Sequence, residues 1–354
     1  MKTILCIGTE WRGSNATGLF YSFTRLGKYL THIIDVRKFV SLAPENLGNQ
    51  ILGRLIRTFQ IDNYNNHIKR IVQKVNADLI FVYKGQYIKP DTFEWIRKFY
   101  NVPIVLFYPD ISFKQQGPFI YSNLVFYDVI YSTKSFAKLE LDEAKIKAHF
   151  KFIPHGFDPS LHRVLSQPVP SNFKADLSFT GSYSDKKDNV VKELSQNIDC
   201  SNLSYGFKVW GGGWLKSKSI SYHDVKIQGF ATAGDTFVAS INGTRINLAI
   251  LYEGKPGVKS QDKITSRTFH IPGSGGFMIH ERTDELNYYF EDDKEVVTYA
   301  ENEELADKTR FYLKNEAERK RIKNNGYSRA LKCHSLDMRA KEILRDLKIN
   351  DIFY

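Results

Sequence analysis

Three short stretches of the chain combine residue types that hold anions. In "SRTFHIPGSGGFMIHE" (266–281), Arg267 precedes a glycine-rich turn and Glu281 follows it. The planar fork of an arginine binds phosphate through two parallel hydrogen bonds. The backbone N–H groups of a turn such as that around Gly275 and Gly276 can face an anion as well. His270 comes eight residues after Asp262, about two helical turns, so on a helix the pair would share one face. In "SFTGSYSDKK" (178–187), Gly181 and Ser182 form a small-residue turn, and Lys186 and Lys187 open the segment behind it. A turn of this kind before a helix start presents free N–H groups, and the lysines add charge, a combination suited to a diphosphate. In "VWGGGW" (209–214), Trp210 and Gly211 close an apolar run, and a flat base could lie over that backbone.

Acid–base candidates lie elsewhere. Asp110 ends "IVLFYPD", Glu10 follows the first apolar run, and His155 sits in "FKFIPHG". Each is a side chain type able to take a proton from a hydroxyl. "GTEWRGS" (8–14) has the outline of a phosphate-binding P-loop, but Ser14 stands where the essential lysine belongs. It lacks the GxGxxG spacing too, so a dinucleotide site is not expected, although a glycine-rich loop after a strand still admits a ligand to the backbone. Cys6, Cys200 and Cys333 are too far apart for a disulfide framework or a metal set, and no His/Cys/carboxylate cluster has ligand spacing, so no metal is expected.

The elements that must position these residues alternate. "KTILCIG", "THIIDV", "ADLIFVYKG", "PIVLFYPD", "DVIYST" and "FKFIPHG" read as strands. Between them, "GLFYSFTRLGKYL", "HIKRIVQKV", "DTFEWIRKFY" and "SFAKLELDEAKI" read as helices, the first from the spacing of Leu19, Phe23, Leu26 and Leu30. Near-continuous apolar strands separated by helices predict a parallel sheet covered on both faces. A polar, proline-bearing linker (155–174) follows, and the pattern restarts with "ADLSFTGS", "YGFKVWGGG", "TRINLAILY", "GGFMIHE" and "EVVTYA" as strands. "KKDNVVKELSQNI", "AGDTFVASI", "KITSRTFHI" and "DELNYYF" read as helices, and three helical stretches end the chain. The expected fold is α/β, with two Rossmann-like domains facing a cleft and C-terminal helices. Residues 1–157 form the first domain, 158–334 the second, and 335–354 a terminal helix that packs back on the first.

At 354 residues, 42% hydrophobic and 25% charged, the chain is globular in composition and long enough for two cores. No apolar run approaches the ~18 residues of a membrane span, and "MKTILCIGTE" is not a secretion signal. With the unpaired cysteines, this predicts a cytoplasmic protein. The formal net charge of +11 and the basic run from Lys308 to Lys332 suit anionic ligands or peripheral contact with the inner face of an anionic membrane. No nucleic-acid recognition pattern is present.

The segment from Gln261 to Leu331, "QDKITSRTFHIPGSGGFMIHERTDEL…NNGYSRAL", resembles the C-terminal module of the CgeB-like (spore maturation protein) glycosyltransferases, with their R-T-F-E-I-P-x-x-G-G-F-x-L-x-E-R-T-D-E-L string. "FTGS", "RINLAI" and "FIPHGFDP" are similar to that family further upstream. The resemblance implies a GT-B glycosyltransferase that uses a nucleotide sugar, UDP- or GDP-linked, without a metal or other cofactor. It implies that Gly181 and Ser182 lie nearest the donor diphosphate, that Arg267 contacts phosphate, and that Gly275, Gly276 and Glu281 border the sugar nucleotide. Lys186, Trp210, Gly211 and Asn247 complete the expected donor set. His270 departs from the family, where a glutamate that holds the donor ribose occupies this place. The first domain would hold a glycan or lipid-linked acceptor, with Asp110, Glu10 or His155 as base if the reaction inverts. The alternative is a non-catalytic nucleotide- or carbohydrate-binding relative.

Overall fold

The computed structural model describes the chain except residues 42–49, 219, 221–223, 230–231, 253–260 and 354, and the side chains of 50–55. The chain forms two compact units. One comprises Met1–Pro154 with Asp337–Tyr354, the other His155–Leu336.

The first unit runs β1 (Lys2–Gly8), α1 (Asn15–Arg25), β2 (Tyr29–Asp35), α2 (Gln50–Val75), β3 (Leu79–Tyr83), α3 (Pro90–Phe99), β4 (Ile104–Tyr108), α4 (Ile120–Asn123), β5 (Val129–Ser132), α5 (Ala137–Glu143) and β6 (His149–Phe152). All its strands are parallel, in the order β2-β1-β3-β4-β5-β6. Runs such as "LIFVY" and "IVLFY" are buried on both faces, which is why they read as unbroken apolar stretches. Pro90 starts α3, where its missing N–H has no helical partner to lose. One face of the sheet packs under α2 and α3 through Ile61, Ile68, Phe93 and Ile96. The other is covered by Leu19, Phe20 and Phe23 of α1 and by Ala340, Ile343 and Leu347 of α11 (Leu336–Ile349). Polar links help fix α11 there: Tyr131 donates to Asp346 (2.8 Å), Arg25 pairs with Asp337 (2.6 Å), and Lys151 pairs with Asp346 (3.3 Å). Leu30 lies in β2 rather than in α1, because the helix stops at Arg25 and Gly27 (φ 74°) turns the chain.

The second unit runs β7 (Ala175–Thr180), α6 (Asp185–Asn197), β8 (Phe207–Trp210), β9 (Val225–Ile227), α7 (Asp235–Gly243), β10 (Thr244–Ala249), α8 (Ser266–Gly273), β11 (Met278–Glu281), β12 (Val297–Tyr299), α9 (Asn302–Lys314) and α10 (Glu316–Cys333). Its sheet is again all parallel, in the order β12-β11-β10-β7-β8-β9. Three expectations need correction here. α8 begins at Ser266, not Lys263, so Asp262 lies in the loop before it and shares no helical face with His270. Pro272 and Gly273 form the last helical turn rather than a loose turn. "DELNYYF" makes only a 3-10 turn over Leu286–Tyr288. The basic run Lys308–Lys332 lies on α9 and α10, where Lys308, Arg310, Lys320 and Arg321 pair with acids three or four residues away. Such pairs mark a solvated helix face, and the run lends no support to membrane contact.

Candidate functional site

In an open parallel sheet, ligands bind beyond the carboxyl ends of the strands, where the strand order reverses. The reversal in the second unit lies between β7 and β10. Gly181 and Ser182 leave β7 there, and Ile250 and Leu251 leave β10.

Arg267, the second residue of α8, reaches across this reversal. Its guanidinium lies 5.2 Å from the centre of the Phe179 ring, and Nη2 donates to the Ile250 carbonyl (2.9 Å). A Cβ added at Gly181 would come within 2.8 Å of its Nη1, so the turn after β7 has to be glycine for the arginine to lie there. Its Nε is buried and has no hydrogen-bond partner among the described residues. Burial lowers the Arg267 pKa, and the Asp262 carboxylate opposes that shift. A guanidinium remains charged throughout the working range. A buried cation whose Nε has no partner among the described residues, beside a glycine turn, is an arrangement chemically suited to an anion.

Two lysines stand at the same turn. Lys187 is buried, donates to the Ser182 carbonyl (3.1 Å), and lies 5.2 Å from the centre of the Tyr252 ring. Lys186 pairs with Glu281 (2.5 Å), whose other oxygen accepts the Leu251 N–H (3.1 Å). The N-terminus of α6 differs from the sequence expectation. Asp185 and Asp188 occupy its first turn, so its positive end is already faced by carboxylates. The first turn of α8 carries no acid, and it is that helix end, with Arg267, that suits an anion.

The surrounding hydrogen bonds hold this turn rigidly. Gly181 N–H donates to the Trp210 carbonyl (2.8 Å), and the Trp214 indole donates to the Gly181 carbonyl (2.8 Å). Gly211 has φ +150°, and a Cβ there would overlap the Gly181 carbonyl oxygen. A relay fixes α8 to β11: the Thr265 N–H donates to Thr268 Oγ1 (3.0 Å), and the Thr268 hydroxyl lies 2.8 Å from His280 Nε2. His280 Nδ1 in turn lies 2.6 Å from the Glu281 carbonyl, which makes Nδ1 the protonated nitrogen and Nε2 the acceptor. Burial pushes the His280 pKa down to about 4, so the imidazole is neutral at pH 7.

Several expected donor contacts lie away from this crevice. Trp210 is wholly buried and offers no face to a base. Asn247 sits inside β10, bonded to Ser178 (3.3 Å) and to the Phe277 carbonyl (3.2 Å), and serves the sheet. Gly275 and Gly276 precede β11, at the amino edge of the sheet. Added Cβ atoms there would strike Val164 and Ile241, so close packing explains these glycines. His270 is buried with its ring centre 4.2 Å from that of His162, and its Nε2 faces the Gly156 carbonyl (3.2 Å). Burial, with His162 and His155 nearby, holds its pKa well below the usual histidine value. His155 is also buried in this unit.

Asp110 and Glu10 belong to the first unit. Asp110 follows β4 and pairs with Lys84 (2.8 Å). Glu10 accepts from the Tyr21 hydroxyl (2.9 Å). The strand order of this sheet reverses between β1 and β3. A cavity of ≈ 440 Å³ opens beyond that point, lined by the Gly8–Asn15 loop, by Tyr83–Tyr87, and by Val36, Tyr64 and Pro109. Lys84 and Gly85 both have left-handed backbone there (φ 73° and 71°). For a lysine this is a strained conformation of the kind found at ligand sites. Among the described residues no group of three His, Cys, Asp or Glu side chains could hold a metal ion, and no helix is long and apolar enough to cross a membrane.

Comparison with known proteins agrees with this architecture. Residues 188–345, somewhat less than half of the chain, match the model of the family described as Glycosyl transferase-like. No curated protein sequence matches the chain. Among solved structures, sucrose-phosphate synthase (tll1590) from Thermosynechococcus elongatus aligns over 99% of this chain and 100% of its own, with TM-score 0.65 and 12% identity. Alr3699/HepE from Anabaena, in complex with UDP and glucose, aligns over 98% and 100%, with TM-score 0.64 and 13% identity. A trehalose-6-phosphate protein from E. coli, bound with UDP-2-fluoro glucose, aligns over 98% and 99%, with TM-score 0.60 and 9% identity. The fold is therefore the α/β fold with two Rossmann-like domains of the GT-B type.

Proposed function

We propose that the protein is a glycosyltransferase of CgeB-like type, which moves a hexose from a nucleoside diphosphate sugar to an acceptor hydroxyl on a glycan, glycolipid or glycosylated protein. The observation that carries this reading is Arg267, with its unused buried Nε at the β7/β10 reversal beside Gly181 and the acid-free start of α8. As the bond from the anomeric carbon to the β-phosphate oxygen breaks, negative charge grows on the departing diphosphate. Arg267 and Lys187 are fixed in place before that charge appears, so they stabilise it without reorganising. Lys186 joins them once it exchanges Glu281 for phosphate. In this reading protein cations neutralise the leaving group and no metal takes part. The structural neighbours with UDP and UDP-2-fluoro glucose favour a UDP-linked donor over a GDP-linked one. Asp110, already oriented by Lys84, is the preferred base if the reaction inverts, ahead of Glu10 and the buried His155. The reaction is assigned to the cytoplasm.

One observation favours the second reading, a relative that binds without turnover. His270 spends its Nε2 on Gly156 and stacks on His162, so it does not present the two acceptor oxygens of a carboxylate to a ribose.

Calorimetric titration of UDP, GDP, ADP and dTDP into the full chain tests the site. One diphosphate should bind, and Arg267→Met should weaken it by roughly 10- to 100-fold, the worth of a hydrogen bond to a charged group. A folded protein that binds none of them at millimolar concentration refutes the site. Nucleotide binding without sugar release or transfer across an acceptor panel selects the second reading.

A further inference from the structure

The two reversal points differ in charge. That of the second unit gathers Arg267, Lys186 and Lys187, with Glu281, Asp185, Asp188 and Asp262 as the carboxylates around them. Around the first unit's cavity the wall is mostly uncharged. Among the described residues that line it, Lys84 is the charged one, and Asp110 pairs with it at 2.8 Å. Nearby, Arg37 pairs with Asp35 (3.1 Å) and Lys38 with Glu10 (3.9 Å). What the wall offers instead is rings and uncharged hydrogen-bonding groups. Trp11, Tyr83 and Tyr87 contribute rings, and Tyr83 is braced by Phe20 and Phe107 behind it. Asn15 and Gln86 contribute planar amides. Tyr64 is 2% exposed, yet its hydroxyl has no partner among the described residues. This group lines the cavity and is placed for a ligand or for solvent there.

From this we infer that the first unit's cavity holds an uncharged sugar residue, as the acceptor end, and discriminates against sugar phosphates and uronates. The flat C–H faces of a pyranose suit aromatic walls, its hydroxyls suit amides and a phenol, and ≈ 440 Å³ is within the range of pockets for small ligands. A phosphate would meet one cation that is already paired, and would leave that charge uncompensated in a half-buried place. The inference deepens the glycosyltransferase reading and rests on it for the word acceptor, but the binding itself can be tested alone.

The probes are methyl glucoside, methyl galactoside, methyl mannoside and methyl N-acetylglucosaminide, against glucose-6-phosphate and glucuronate. Saturation-transfer NMR and competition titration are run on the full chain, with UDP binding as the control for the second unit. At least one neutral glycoside should bind. Its charged counterpart should bind no more tightly, and Trp11→Ala should weaken the glycoside tenfold or more while UDP affinity stays unchanged. Tyr64→Phe, which keeps the ring, should weaken it severalfold. The inference is overturned if a charged sugar binds tenfold tighter than its neutral parent. It is equally overturned if Trp11→Ala and Tyr64→Phe leave glycoside binding intact, or if no glycoside binds a protein that still binds UDP. Glycoside binding without any nucleotide binding would uphold the cavity and refute the donor site instead.

Discussion

Three neutral histidines in the second unit make a quantitative prediction about acid. Burial holds His162 and His280 at about 4, and keeps His270 well below the normal value. The stacked His162 and His270 rings, 4.2 Å apart, cannot both take a proton without placing two like charges in contact. In the unfolded chain each histidine titrates near 6.5. Because the folded values are depressed, the unfolded state binds more protons between about pH 6.5 and 4, so stability falls as the pH falls through that window. For a histidine moving from about 6.5 to about 4, the loss between pH 7 and pH 5 is roughly 2 kcal/mol. His162 and His280 together remove roughly 4 kcal/mol, and His270 adds to it in the same direction. Against a typical total of about 5–15 kcal/mol, this is a large share. Carboxylates act lower. Glu304, held at about 2 by the Ala300 N–H with Lys308 and Arg282, contributes stability that is lost only below about pH 4.5. Urea unfolding at pH 7, 6 and 5 reads the loss, and His162→Gln should shrink it by roughly 2 kcal/mol. The imidazole resonances of these three residues should not move between pH 7 and 5 in the folded protein. A total loss under about 1 kcal/mol, or resonances that titrate near 6.5, would refute the reasoning.

Three further outcomes follow from the same geometry. Gly211→Ala should destabilise the second unit by more than about 3 kcal/mol, read by thermal unfolding, because its Cβ would overlap the Gly181 carbonyl. Trp214→Phe keeps the ring but removes the donor to Gly181, so it should lower stability by about 1–2 kcal/mol and weaken nucleotide binding in titration. Asp110→Asn should leave nucleotide affinity unchanged and lower kcat in a transfer assay by at least about 100-fold, the usual worth of a general base; unchanged kcat would remove Asp110 from the mechanism.

The parallel sheets were readable because strands buried on both faces leave unbroken apolar runs, as in "LIFVY", "IVLFY" and "ADLSFT". β9, only Val225–Ile227, is too short to leave such a signal. Arg267, Gly181 and Glu281 stood out by residue type, and the structure brings Arg267 to Gly181 and Glu281 to Lys186. Gly211 also stood out, but its reason is the approach of the Gly181 carbonyl, a contact 30 residues away in sequence. The same distance hid the part of Trp214, and the Thr268–His280 relay joins separate elements that no local pattern connects. The family resemblance and residue type assigned Gly275, Gly276 and Asn247 to the ligand, whereas Gly275 packs on Val164, Gly276 on Ile241 and Ile271, and Asn247 bonds within the sheet.

The place of α11 has a consequence for how the protein is made. The sheet face beneath it, with Ile4, Phe81, Val105 and Tyr131, belongs to strands that precede the second unit in the chain, while Ala340, Ile343 and Leu347 follow it. All of His155–Leu336 is translated in between. The first unit must therefore wait, with an apolar sheet face uncovered, for the whole second unit to emerge. Its two ends meet meanwhile: Phe157 N–H donates to the His334 carbonyl (3.1 Å), and Leu336 N–H to the Phe157 carbonyl (2.8 Å). A nascent chain halted just before Ala340 should expose that face to chaperones and hydrophobic dyes, and adding residues 340–349 should cover it.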